Sequence, residues 1–271
     1  MADFSFLKPA YSPVALPSKG LLYTPDLLIS SGFIHIRPYT GREEAIISTM
    51  NTDNWFLVIN SILQSCIEEN ISVDLLTNED SYYLLVWLRA HSYSPEYDVE
   101  AQCPFPACGR ENQFVVNLAT DLIFNDLSAD VKEPLIEVLP VSGIQVYLNC
   151  MRRGTEIRAQ KRKTDVIQMW NYPGDPTDIL RRAYSTSKVI LPSGEEVTNI
   201  LELENLYLNF LSSADSYHID CAIQAFNHGV DPNISLVCRS CERTMYTRLP
   251  AGQNFFRPEV RAPKKQDTKQ V

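Results

Sequence analysis

Only four histidines occur in the 271 residues, His35, His91, His218 and His228. None forms a His-Glu-x-x-His arrangement able to place two imidazoles on one helical face, which excludes the usual metalloprotease site. A nucleobase deaminase is excluded in the same way, because no His-x-Glu is present and no proline precedes Cys238. Neither a Gly-x-Ser-x-Gly elbow nor a Gly-rich phosphate loop occurs, so the readily recognised hydrolase and nucleotide-binding classes drop out. The N-terminal Met-Ala-Asp-Phe is not followed by a basic and then an apolar stretch, so neither a secretory signal nor a spanning helix is expected. Positive charge is also scarce. The net charge of −9 opposes nonspecific attraction to nucleic acid or an anionic membrane.

What remains is a folded chain in which 45% of residues are hydrophobic, enough for one large or two moderate domains. Its seven cysteines are expected in a reducing cytosol and so do not suggest a disulfide framework. Four of them fall in two pairs, Cys103 and Cys108 in C-P-F-P-A-C, and Cys238 and Cys241 in C-R-S-C. Two to four intervening residues let both sulfurs of a pair face one tetrahedral ion from a tight knuckle between strands. Strand-like sequence flanks both pairs, with Val99–Gln102 and Phe114–Val116 around the first and Ile234–Val237 and Thr244–Thr247 around the second. The spacing therefore predicts a split zinc ribbon closed by four thiolates, which leaves no open position for catalysis. Ordinary reduced cysteines and a redox Cys-x-x-Cys at Cys238 are the competing readings. Cys66, Cys150 and Cys221 are expected as buried apolar side chains.

The 129 residues between Cys108 and Cys238 require an inserted domain, which loop-closure entropy opposes only mildly because it grows logarithmically with length. The expected fold class is α+β, mainly helical with β-hairpins, the split ribbon enclosing an inserted α+β domain. Residues 1–39, interrupted by five prolines, read as an extended arm, with a terminal strand packed on its own domain as the alternative. Residues 40–97 read as a helical domain. Thr40 and Glu43 suggest a capping box, and Trp55, Val58, Ile59, Ile62, Leu63, Cys66 and Ile67 make one apolar stripe. Thr77 to His91 predicts a third helix with Tyr83, Val86, Trp87 and Ala90 on one face.

Residues 98–117 with 230–257 make the ribbon, 118–229 the insertion, and 258–271 a mobile polar tail. Within the insertion, Leu135–Leu139 and Ile144–Leu148 predict a hairpin turning at Ser142 and Gly143. Two helices at 154–170 and 176–186 and a turn at Pro192-Ser193-Gly194 follow. Two more helices carry Leu203, Leu206, Tyr207, Phe210 and Leu211, then Ile219, Ala222, Ile223 and Phe226. Asp215 is a possible cap at the start of the second and Gly229 suits its C-terminal cap. Arg152, Arg153, Arg158, Lys161, Arg162 and Lys163 form a basic run, read either as the solvated face of a helix or as a protein or nucleic-acid contact.

Taken in order, four pieces resemble the baseplate hub and hub-assembly proteins of T4-like contractile-tailed phages. They are Leu16-Pro17-Ser18-Lys19-Gly20-Leu21-Leu22-Tyr23, the helix opened by Leu76-Thr77-Asn78-Glu79-Asp80, the hairpin-to-knuckle run Tyr97 to Phe114, and His228-Gly229-Val230-Asp231 before Cys238-Arg239-Ser240-Cys241. The resemblance implies a non-enzymatic structural protein in the central hub of a tail baseplate, assembled in the host cytoplasm and kept in the virion. It implies other baseplate and tail hub or tube proteins as partners in a symmetric hetero-oligomeric assembly, without direct nucleic-acid contact or membrane insertion. Its metal would be structural zinc, with an iron–sulfur cluster as the alternative, since four thiolates suit both. A transient hub-assembly chaperone, a zinc-ribbon regulator of nucleic acid and an enzyme of unrecognised class are the competing functions.

Overall fold

The structure, a computed structural model, describes residues 7–52, 54–249 and 252–258. Strand β1, Ser12–Ala15, pairs antiparallel with β2, Phe33–Ile36, and the intervening chain turns back through a short 3-10 helix at Leu28–Ser31. Val14, Leu16, Ile29, Ile34 and Ile36 are buried in the main core. The proline-rich segment read as an arm is therefore folded, over its described residues from Ser12 onward, against its own molecule. Prolines forbid a long helix but not a short strand pair with edge positions for them. The remaining residues of the arm, 1–6, and most of the tail, 259–271, lie outside the described residues.

Helix α1, Gly41–Ile47, opens on the expected capping box: Glu43 accepts from the Thr40 backbone N–H at 2.7 Å, and Thr40 caps the first turn. Helix α2, Trp55–Cys66, buries the predicted stripe of Val58, Ile59, Ile62, Leu63 and Cys66. Each such side chain contributes about 1.5–3 kcal/mol when removed from water. Helix α3, Asn78–Ser92, begins at Thr77 as expected, with the Thr77 hydroxyl accepting from the Asp80 N–H at 3.1 Å. Its apolar face is broader than the sequence suggested. Leu84, Leu85 and Leu88 are buried with Val86 and Ala90, whereas Tyr83 and Trp87 are only half-buried.

Two hairpins follow the ribbon expectation at opposite ends of the sequence. Strands β3, Glu96–Gln102, and β4, Glu111–Asn117, pair in register from Glu96↔Asn117 to Gln102↔Glu111. The chain then makes β5, Phe124–Asn125, and the four-stranded sheet's first hairpin, β6, Leu135–Val138, with β7, Gln145–Leu148. Helices α4, Arg153–Trp170, and α5, Thr177–Ser185, lead to β8, Thr186–Ile190, and β9, Glu196–Val197, which complete the sheet in the order β6-β7-β8-β9. Helices α6, Ile200–Asn209, and α7, Ser213–Ile223, precede β10, Gly229–Val230, which pairs with β5. Strands β11, Asn233–Val237, and β12, Thr244–Arg248, form the second hairpin, and a short helix α8, Gln253–Phe256, buries Phe255 and Phe256.

One core gathers residues from Val14 to Leu122 together with Val230 to Phe256, so the β1-β2 pair, the first three helices and both ribbon hairpins share it. A second lies between the four-stranded sheet and α5, α6 and α7, built on Leu139, Val146, Leu148, Val189, Leu203, Tyr207 and Ile219. A small cluster of Leu22, Leu127, Cys150 and Phe226 shares Leu135 and Ile223 with the second core.

Four local expectations are corrected. Ser212, not Asp215, caps α7, and Asp215 instead accepts from the backbone N–H groups of Val141 and Ser142 at 2.9 and 3.2 Å. Gly229 does not cap a helix but sits in β10 at φ +82°, where a Cβ would lie 3.0 Å from the Glu79 carbonyl oxygen. Phe210 follows the end of α6 and is exposed, because the helix stops one residue before it. Cys66 and Cys150 are buried as expected, but Cys221 is exposed on α7.

Candidate metal centre

The turn from β3 to β4 brings Cys103 and Cys108 onto one side of a tight loop. The Cys103 N–H donates to the Arg110 carbonyl at 2.8 Å, and the N–H groups of Cys108 and Gly109 donate to the Phe105 carbonyl at 2.8 and 3.0 Å. Gly109 takes φ +57°, a left-handed conformation that glycine adopts without steric cost. The β11-β12 turn repeats the device. The Cys238 N–H donates to the Arg243 carbonyl at 3.0 Å, and Glu242, at φ +60°, donates back to the Cys238 carbonyl at 2.9 Å.

These loops face each other, and all four sulfurs lie within 4.8 Å of one another. Cys103 Sγ is 3.7 Å from Cys241 Sγ, and Cys108 Sγ is 3.8 Å from Cys238 Sγ, so the close pairs run between the two loops. Thiolate bonds of about 2.3 Å to one tetrahedral ion give sulfur–sulfur edges of about 3.8 Å. The donor set and the spacing therefore fit a single four-thiolate ion, whereas a multi-iron cluster distributes its cysteines over separate irons. Cys103 and Cys238 are buried and the other two half-buried. Among the described residues, no further His, Cys, Asp or Glu ligand joins the four sulfurs.

Local electrostatics divide the thiols. Backbone N–H groups of Cys241 and Ser240 aimed at Cys238 lower its pKa to about 6. The Phe105 N–H pulls Cys103 the same way, but burial and the three neighbouring cysteines outweigh it and push that thiol up to about 12. Cys238 therefore ionises more readily than Cys103, and four sulfurs this close together favour a bound cation. Sequence reasoning missed Asn112 on β4. Its buried amide points Nδ2 at Cys238 Sγ, 3.5 Å away, while Oδ1 accepts from the Arg239 N–H at 3.1 Å, tying one knuckle to the other. Arg239 lies over Phe114 and Arg243 over Phe105, at 5.6 and 4.9 Å from the ring centres, placing positive charge beside the thiolates.

A second constellation went unread. Segments that looked like separate motifs, around Ser18, Thr77 and His228, converge on one buried carboxylate. Asp80 accepts from the Ser18 N–H at 3.0 Å and the Tyr23 hydroxyl at 2.6 Å, with His228 Nε2 at 3.4 Å. His228 Nδ1 is 2.6 Å from the Phe226 carbonyl, which fixes that nitrogen as a donor, and Nε2 also lies 3.2 Å from Thr77 Oγ1. Burial alone would raise the Asp80 pKa, but the contacts from His228, Ser18 and Tyr23 hold it below the usual range. Burial works against the His228 cation, and the same Asp80 contact outweighs it, raising the histidine's pKa. Both side chains are fully buried, so this node joins chain segments and offers no surface to a substrate.

A sequence profile of the family described as T4 bacteriophage base plate protein matches residues 22–257. Comparison with individual curated proteins gives no match, and neither does comparison with solved structures. The matched span contains all four clustered cysteines, Asp80 and His228.

Proposed function

The chain belongs to the T4 bacteriophage base plate protein family, and from that premise we propose that it is a structural component of the central hub of a contractile tail baseplate. It works by protein–protein binding, with zinc held by Cys103, Cys108, Cys238 and Cys241 as a staple and not as a reagent. The observation that carries this reading is the cluster itself: four thiols from two segments 129 residues apart lie within 4.8 Å, with no position left for water or substrate. Zinc would supply folding energy there by linking elements distant in sequence.

The nucleic-acid alternative rested on the basic run, and that run is largely engaged within the chain. Arg152 pairs with Glu133 at 2.7 Å, Arg162 with Glu204 at 2.9 Å and Lys163 with Asp175 at 2.5 Å. Arg153 is buried and donates to Asn60 at 2.9 Å, and Arg158 stacks over Tyr184. Partners for the hub reading are other baseplate and tube proteins.

The test is the amount of this protein in purified intact tails, counted by quantitative mass spectrometry against a known tail protein. A fixed whole-number stoichiometry supports a structural component. Presence in infected cells with absence from tails would replace that reading with a transient assembly chaperone.

A further inference from the structure

Strand β6 ends the four-stranded sheet, and its register determines which backbone groups face outward. The Leu139 N–H donates to the Ile144 carbonyl at 2.8 Å, so with Glu137 opposite Val146 and Leu135 opposite Leu148 the residues bonded to β7 are 135, 137 and 139. Alternation then turns the N–H and C=O groups of Ile136 and Val138 away from the sheet. Among the described residues no strand or loop pairs with that edge. The Ile136 and Val138 side chains are also open, at 50% and 59% exposure, beside Tyr147 on the same face.

Protein edges are ordinarily blunted by lysine, proline, a bulge or a covering element. Here Pro134 and Pro140 bound a four-residue strand, and the free groups left between them belong to two β-branched residues, with Glu137 the only charge on the strand. Its carboxylate, one-third exposed, lies 3.0 Å from His218 Nε2, on the opposite face from Ile136 and Val138. The nearby Asp215 carboxylate adds negative charge where β6 runs into the turn.

We propose that this edge is a strand-addition site for an extended segment of another polypeptide that carries Arg or Lys between two apolar β-branched residues. Pairing would satisfy the outward groups of Ile136 and Val138, set the apolar side chains beside them, and bring the basic residue across from Glu137. A second copy of the chain fits poorly. Antiparallel self-pairing that joins Ile136 to Val138 places Glu137 opposite Glu137 of the other copy, and like charges directly opposite are destabilising. The inference deepens the hub reading by naming the chemistry of one partner, and it rests on that reading for the partner's origin.

The test uses the full chain in solution with two synthetic probes: a Thr-Val-Arg-Val-Thr peptide and the same peptide with Glu for Arg. With the arginine peptide, amide exchange at Ile136 and Val138 should slow by about tenfold or more while that at Glu137 and Leu139 is unchanged. The glutamate peptide should bind about fivefold more weakly. Val138→Pro removes only an outward N–H and should abolish the protection, and Ile136→Lys should weaken it. No slowing with either peptide would overturn strand addition, and equal slowing would overturn the basic partner. Concentration-dependent dimerisation that protects these two amides without peptide would assign the edge to a second copy instead. Because no particle enters the assay, its failure leaves the stoichiometry of the protein in tails to judge the hub reading separately.

Discussion

The cysteine cluster and the Asp80–His228 node both fasten segments remote in sequence, but by different chemistry. The cluster joins two turns that are each well formed locally, through sulfurs that approach to 3.7 and 3.8 Å. The node joins a β1-β2 turn, a helix start and the approach to β10 through one carboxylate wholly removed from water. Thiols that crowd one point favour an added cation, whereas a buried carboxylate already carries its cation in the form of a histidine. The first fastening should therefore answer to chelators and the second to protons.

Cys238→Ser sharpens the contrast most. With a metal-linked site contributing several kcal/mol, its loss should lower the melting temperature by about 10 °C or more and make the remaining stability indifferent to chelator. Calorimetry with and without a strong chelator measures both. Asp80→Ala leaves His228 buried without its counter-ion and the Tyr23 hydroxyl without its acceptor, at a cost of about 3–5 kcal/mol. Denaturant midpoints should fall while metal content stays at the wild-type level, and a parallel loss of metal would show that the two fastenings are not separate.

Protons should act on the node and on Glu43. Burial would raise the Glu43 pKa, but donors from Arg37, Ser65 and Thr40 overcome it and hold the carboxylate at about 2. A carboxylate depressed in the folded state stabilises above its unfolded value and loses that contribution as pH falls through the folded one. Glu43 should thus contribute about 3 kcal/mol above pH 4.5, lost progressively toward pH 2. Asp80 acts in the same direction. His228, raised in the fold, has the opposite sign: its contribution is complete below about pH 6.5 and disappears as pH rises through its folded value. Stability measured against pH should have a shallower acid limb in Glu43→Gln, with the Asp80 part remaining, and the decline on the alkaline side should weaken in His228→Ala. The smallest effect is expected at Gly229→Ala, where a left-handed backbone and the nearby Glu79 carbonyl should cost about 1–3 kcal/mol without altering the pH profile's shape.

The same comparison explains what could be read in advance. Both cysteine pairs were legible because each knuckle is encoded within a few residues, and so were the Thr40–Glu43 box and the α2 stripe. That the two knuckles meet followed from the demand of a tetrahedral ion for four ligands. No comparable rule joins Asp80 to Ser18, Tyr23 and His228, because a hydrogen-bonded carboxylate accepts many partner types and leaves no spacing signature. Asp215 was assigned to the wrong task for that reason, since a carboxylate near a helix start can cap it or, as here, bind a neighbouring turn. Cys221 was misplaced because α7 buries few of its residues, and composition does not say which side faces out. The open edge of β6 depended on strand order, which a hairpin signal does not specify.

The most direct test is metal content per chain after anaerobic purification, in the native protein and in Cys103→Ser and Cys238→Ser. One shared site predicts about one zinc per native chain and loss from both variants, one from each knuckle. Metal absent from the native chain, or lost from only one variant, would contradict it.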